Sequence, residues 1–311
     1  MQVLWNIALP VFGIILAGYL VGRLRLLGEG SSQALNGFAY WVALPALLLL
    51  SMTRVPIAEV LNLPFIAAFV GGTVLTFVVS VGAGALIFAN RPDARIMQGL
   101  AAVFANAGYL GVPLFLTAFG AERALPAIIA MVLSAAFTMG SGVALVEIGR
   151  SQAANWRHVA ADVTRALFGN PLVVAPFFGL ALRALGIVLP GPLETFLGLL
   201  GGAAAPCALF ALGLFLVGTR LRANLREVGW ITLLKLVGQP AITWVLAVPL
   251  LHLEPFWANS AVLLSALPTA ALVFTLAQQY EIYVERASSA ILVTTALSVL
   301  TVPLILVLLG M

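Results

Sequence analysis

Residues Phe104–Leu116 read FANAGYLGVPLFL and lie inside an uncharged stretch of 26 residues, Ile96 to Ala121. That length suffices for a helix crossing a hydrocarbon core about 30 Å thick, which needs about 20 residues. Yet Gly108, Gly111 and Pro113 sit near the centre of the stretch, where lipid offers a broken backbone no hydrogen bonds. Proline removes a backbone donor and clashes with the preceding turn, and the two glycines favour non-helical residues ahead of it. Pro113 is well tolerated at the start of a new helix. The stretch therefore predicts two half-helices meeting at mid-membrane depth, which survive only where protein or a water-filled cavity surrounds them.

The rest of the chain agrees with a membrane setting. Of 311 residues, 62% are hydrophobic and 8% charged, with a mean hydropathy of +1.13; soluble domains carry about 25% charged residues. Uncharged runs recur along the whole length and give an all-α integral membrane protein of ten spans: 3–22, 33–52, 63–89, 96–120, 124–147, 166–187, 194–218, 228–251, 257–280 and 287–310. The opening MQVLWN has no Lys or Arg, so the first run lacks the basic region of a cleaved signal and is retained as a span. The single cysteine, Cys207, lies inside a span and has no intrachain partner. A pI near 9.7 does not point to nucleic acid, because the basic residues are scattered among short loops. Loops after the odd spans hold Arg23, Arg25, Arg91, Arg95, Arg150, Arg157, Arg165, Arg220, Arg222, Arg226 and Arg286; the opposite loops hold Arg54, Arg123 and Arg183. The positive-inside rule makes the odd loops cytoplasmic, with both termini outside a cell inner membrane.

Matched punctuation indicates an internal repeat. Pro10 and Pro45 are 35 residues apart, as are Pro171 and Pro206, and Gly18 and Gly179 share the same offset of 161. Residues 1–149 then form one five-span repeat, 150–165 a connecting loop and 166–311 a second repeat. Five is odd, so the halves run through the membrane in opposite senses, an inverted repeat of the kind found in secondary transporters. Span 9, between Glu254 and Glu281, again has 26 uncharged residues with Pro268 at its centre. Spans 4 and 9 occupy equivalent places, and both are interrupted; for Pro268 alone, a simple kink is the other reading.

Half-helix ends meeting at the midplane expose N–H groups that attract an anion and carbonyls that hold a cation. Asn106 and Tyr109 flank such a site from span 4, and Thr269 from span 9. A carboxamide there binds a carboxylate or merely caps the first half-helix. Ser134 and Thr138, four apart on span 5, line the same cavity or tie helices together. Lys235, the only lysine, lies eight residues beyond Glu227, about 12 Å into the leaflet. It either snorkels to water or supplies a counter-charge for an anion, with Gln239 and Thr243 continuing its face. Glu147 and Arg183 lie near span ends, where side chains reach water. No carboxylate falls near the middle of any span, which argues against an acidic proton relay. His158 and His252 lie in or beside loops; without HExxH, an intramembrane Asp pair or a Cys/His cluster, an enzyme, a metal site and a cofactor are not expected. Gly18 with Gly22, and Gly198 with Gly202, match the close-packing motif of membrane helices, within the chain or between subunits.

NAGYLGVPLFLTAFG (Asn106–Gly120), LPTAALVFTLAQQY (Leu267–Tyr280), FGIILAGYLVGR (Phe12–Arg23), LNGFAYWVALPALLLL (Leu35–Leu50) and IYVERASSAILVTTALSVL (Ile282–Leu300) together resemble the auxin efflux carrier family, in the bacterial branch often labelled malonate transporters. The resemblance implies broken helices 4 and 9 crossing at the midplane. Spans 1, 2, 6 and 7 would form a scaffold that dimerises, and spans 3–5 and 8–10 a transport domain working as an elevator. The substrate would be a small organic anion and the remaining partner the lipid. Asn106, Gly111 and Pro113 map onto the first crossover and Pro268 onto the second. Two positions depart from the pattern: Leu272 stands where the family usually has Asn, and Gln239 precedes Pro240 where it often has His. A sodium-coupled symporter resembling the bile acid carriers shares this plan, and a membrane sensor that keeps the fold without translocating is a rival from another class.

Overall fold

The computed structural model describes residues 9–139, 168–217 and 225–311, with Ile7, Ala144, Ala161, Thr164 and Arg165, but not the side chains of residues 58 and 137–139. Most of the connecting segment 150–165, together with Glu147 and His158, lies outside the described residues. Twelve helices are named here: α1 (Leu9–Arg23), α2 (Ser31–Arg54), α3 (Leu63–Leu86), α4 (Pro92–Val103), α5 (Ala107–Phe119), α6 (Leu125–Ala136), α7 (Pro171–Ala184), α8 (Gly191–Val217), α9 (Leu225–Leu250), α10 (Pro255–Ser265), α11 (Leu272–Tyr280) and α12 (Val284–Leu308). Five of these, α2, α3, α8, α9 and α12, are long and apolar enough to cross a membrane, and α1, α5, α6 and α7 are shorter apolar helices. No strand occurs among the described residues beyond one isolated bridge, between Ala105 and Thr269.

Prolines shape the long helices in a repeated way. Wide turns closed by i→i+5 bonds occupy Ala39–Ala43, Ala107–Gly111 and Leu234–Gly238, and in each case a proline follows two residues later, at Pro45, Pro113 and Pro240. A proline ring crowds the carbonyl four residues before it and offers that carbonyl no N–H. One extra residue in the preceding turn relieves the crowding without ending the helix.

The chain divides into two compact units, Met1–Asn62 with Gly108–Val132 and Leu167–Gly218, and Leu63–Ala107 with Leu133–Ala166 and Thr219–Met311. In the first unit, α1 runs along the second half of α8 and α7 along the second half of α2. Glycines set both approaches: a Cβ on Gly18 would lie 2.2 Å from the Phe210 carbonyl oxygen, one on Gly213 2.0 Å from that of Ile15, and one on Gly179 2.4 Å from that of Leu49. Gly22 meets Leu214 and Val217, so the Gly18/Gly22 pair is engaged within the chain, whereas Gly202 has nothing near it.

The second unit gathers α4, α9, α11 and α12 around Met97, Leu100, Val103, Phe104, Ile231, Leu234 and Val273. Its helices are arranged for a lipid solvent. On α12 the buried face carries Ser289, Thr294, Thr295 and Ser298, while Leu297, Leu300 and Leu304 are exposed; on α3, Thr73, Thr76 and Ser80 are buried and Leu75, Val78 and Val79 exposed. Between helices in lipid the hydrophobic effect is weak, so small residues and hydroxyls packed inward supply the cohesion.

Candidate functional site

The interruption in the opening stretch falls earlier than the glycines suggest. Helix α4 ends at Val103, Phe104–Asn106 are non-helical, and the chain is helical again from Ala107, so Gly108 and Gly111 belong to the wide turn and Pro113 to the first turn after it. The reason lies in a second non-helical segment with which this one pairs. The second interruption, Ala266–Ala271, separates α10 from α11, a full break rather than a kink at Pro268. The two segments pair with each other: the Asn106 N–H donates to the Pro268 carbonyl and the Ala270 N–H to that of Phe104, both at 2.9 Å. Backbone groups that the helices leave free are thus satisfied across the bridge, as a buried site requires.

Side chains complete the joint. The Thr269 hydroxyl donates to the Ala101 carbonyl in the last turn of α4 at 2.8 Å, and the Thr269 N–H donates to the Thr294 hydroxyl of α12 at 3.1 Å. Helix α9 tends the two C-terminal helix ends, where carbonyls lack helical donors. Lys235 donates to the Ser265 carbonyl of α10 and to the Gln239 side-chain oxygen, each at 2.6 Å, and Gln239 donates to the Val103 carbonyl of α4 and to the Thr73 hydroxyl, each at 3.3 Å. A hydrogen-bond donor is well placed at such ends, where the last carbonyls lack helical partners. Lys235 and Gln239 are fully buried. The lysine therefore does not snorkel: its partners lie inside the unit, and reaching water would abandon both. Thr243 continues the face and fits against Gly72, where a Cβ would lie 2.2 Å from its hydroxyl.

Asn106 is buried, 3% exposed, and its carboxamide has no hydrogen-bond partner among the described residues. It is not among the sealed side-chain polar groups without a partner in the described residues, which are those of Trp230, Thr243, Ser260, Thr295 and Thr301. The α11 N-terminus has no side-chain cap, with Leu272 at its first position. Asn106, Pro268 and Thr269 are thus brought together in the second unit with Lys235, and Ser134 is also buried there. Tyr109, Gly111 and Pro113 belong to the first unit, in which the Tyr109 hydroxyl donates to the Asn36 carbonyl at 3.4 Å. The Thr138 side chain lies outside the described residues.

A second polar group sits at the loop end of the second unit. The buried Glu227 carboxylate pairs with Arg286 at 3.0 Å and accepts from Asn90 and Tyr283, while Arg286 also donates to the Asn90 side-chain oxygen at 3.0 Å. Burial, then the hydrogen bond and charge of Glu227, hold the Tyr283 phenol above its ordinary range, so it remains a donor. Sequence reading used Glu227 only to gauge the depth of Lys235 and Arg286 only as a loop charge, and gave Asn90 and Tyr283 no role. The wiring of Lys235 was half visible, in its spacing of four from Gln239; Thr294 carried no signal.

Against this geometry, residues 5–306 match the family model described as "Membrane transport protein". The chain belongs to that family, the auxin efflux carrier family. It is a membrane transporter of several apolar helices. It is similar to the "Putative malonate transporter" of Rhizobium meliloti, 36% identical over 299 residues that cover 96% of this chain and 93% of the relative. An "Uncharacterized transporter" of Methanothermobacter thermautotrophicus is 30% identical, over 95% of each chain. The mouse "Lysosomal cholesterol signaling protein" is 26% identical over 93% of this chain but only 36% of its own length.

Proposed function

We propose that the protein moves a small organic anion, a carboxylate of the malonate or auxin class, across a cell inner membrane by alternating access of the elevator type. The observation that carries this reading is the buried Asn106 carboxamide, without a partner among the described residues, beside the paired breaks of α4/α5 and α10/α11. An amide donor close to helix N-terminal N–H groups suits a carboxylate. In this reading the twelve helices make ten spans in two inverted repeats, with both termini outside. Gly18 and Gly179, related by the repeat offset, support it, because each lies so close to a backbone carbonyl of its partner helix that a Cβ would not fit. Spans 3–5 and 8–10 form the moving transport domain, and spans 1, 2, 6 and 7 a dimeric scaffold. Tyr109, Gly111, Pro113, Ser134 and Thr138 join the substrate path, with Lys235 a nearby positive charge.

Sodium coupling is the weaker alternative, because the Ser265 carbonyl that could hold a cation already accepts from Lys235. A non-translocating sensor is the other. A thermal-shift screen of carboxylates in sodium and in potassium tests the reading, since a ligand that binds the folded state raises its apparent stability. A shift by malonate in either salt, lost in Asn106→Ala, is expected. Stabilisation only in sodium favours the symporter, and no shift by any carboxylate overturns the proposal.

A further inference from the structure

We infer that Lys235 is the proton carrier of this transporter, taking up a proton as the anion binds and releasing it as the anion leaves. The inference rests on the organic-anion reading above and names its coupling ion. Its ground is the set of partners around the nitrogen. Both are acceptors: the Ser265 carbonyl and the Gln239 side-chain oxygen. The Gln239 amide nitrogen faces the Val103 carbonyl, which fixes the oxygen toward the lysine. A neutral amine has two N–H groups and satisfies both acceptors as fully as an ammonium does. Losing the third proton therefore breaks no hydrogen bond to the protein, and no acceptor for that proton occurs among the described residues.

What changes with protonation is charge. An ammonium that is fully buried and has no carboxylate partner is poorly compensated by two carbonyl dipoles. The charged groups on the packed helices do not relieve it. Helices α3 and α10 carry none. On α4 they are Asp93 and Arg95, on α12 Glu285 and Arg286, and on α9 itself Arg226 and Glu227, all in the first turns. Glu227 is engaged by Arg286 and Asp93 by Arg91. An anion bound at Asn106, beside the same breaks, restores neutrality. Anion and proton then each raise the other's affinity by the same factor, as linkage requires. A proton-coupled carrier thus works here without an intramembrane carboxylate.

The test is the steady-state accumulation of labelled malonate in proteoliposomes at clamped zero potential, with the outside more acidic. One proton per malonate gives about tenfold accumulation per pH unit, the equivalent of about 1.4 kcal/mol. Wild type is expected to accumulate, and Lys235→Arg, whose charge is permanent, to equilibrate without accumulation whatever its rate. As a reading independent of any variant, malonate binding to the wild type in weak buffer is expected to take up protons. Downhill wild-type transport indifferent to the gradient, accumulation by Lys235→Arg equal to wild type, or binding without proton uptake overturns the inference alone. A wild type that neither binds nor transports any carboxylate overturns the organic-anion reading and this one with it.

Discussion

Replacing Thr294 by valine removes one oxygen from the joint between the two breaks while keeping the side chain's shape. The Thr294 hydroxyl accepts the Thr269 N–H at 3.1 Å and donates to the Ala290 carbonyl at 2.7 Å. The second bond matters little, because a helix-interior carbonyl has its own backbone donor. The first is the only bond found for the Thr269 N–H among the described residues, and Thr269 and Thr294 are fully buried. Valine therefore strands a buried donor, at a cost of about 1–3 kcal/mol. Thr294→Ser keeps the acceptor and loses only a methyl group, about 1 kcal/mol. The assay is the apparent melting of purified protein in detergent, run in parallel for wild type, Thr294→Ser and Thr294→Val, with malonate-induced stabilisation measured on each. Valine is expected to melt clearly below serine and to weaken the malonate response. Valine equal to serine would show that Thr294 does not hold the break, and the joint as described would be wrong.

Helix packing in the first unit gives a sharper steric contrast. Gly213→Ala places a Cβ 2.0 Å from the Ile15 carbonyl oxygen, whereas Gly13→Ala on α1 meets nothing within 4 Å; the first is expected to cost about 1–3 kcal/mol or more and the second nothing, read as melting temperatures. Arg286→Met leaves the 1%-exposed Glu227 side chain without its cation, a loss of about 3 kcal/mol given the arginine's partial exposure, and Glu227→Gln added to it is expected to recover part of that loss. Tyr283→Phe removes a donor to Glu227. Because the folded state raises the phenol's pKa, the stability it contributes is present throughout neutral pH and declines only as pH rises above the ordinary value of about 10; a stability difference from wild type that already varied with pH near neutrality would contradict this.

The membrane setting and both interruptions were legible because they depend on local chemistry: uncharged runs of bilayer length, and prolines within them. The exact place of the first break was not. Gly108 and Gly111 drew the reading forward, but helix propensity there yields to a contact formed with Pro268 and Ala270, more than 160 residues away in the chain. Pro268 supported a kink on its own and proves to be a break for the same reason. Lys235 was legible as a snorkelling residue or a counter-charge, but its bond to Ser265 was not, since that partner lies on another helix. Thr294 looked like one more hydroxyl on an apolar helix, and Glu227 like the start of a span. Sequence shows which groups are expensive to bury; the tertiary contact that satisfies them is what it withholds.

The central claim is that the Asn106 carboxamide binds a carboxylate in transit. Counterflow of labelled malonate in proteoliposomes tests it most directly, comparing wild type with Asn106→Ala protein that melts at the same temperature. Exchange by wild type and none by the variant is the expected result; wild-type exchange by folded Asn106→Ala would contradict the account.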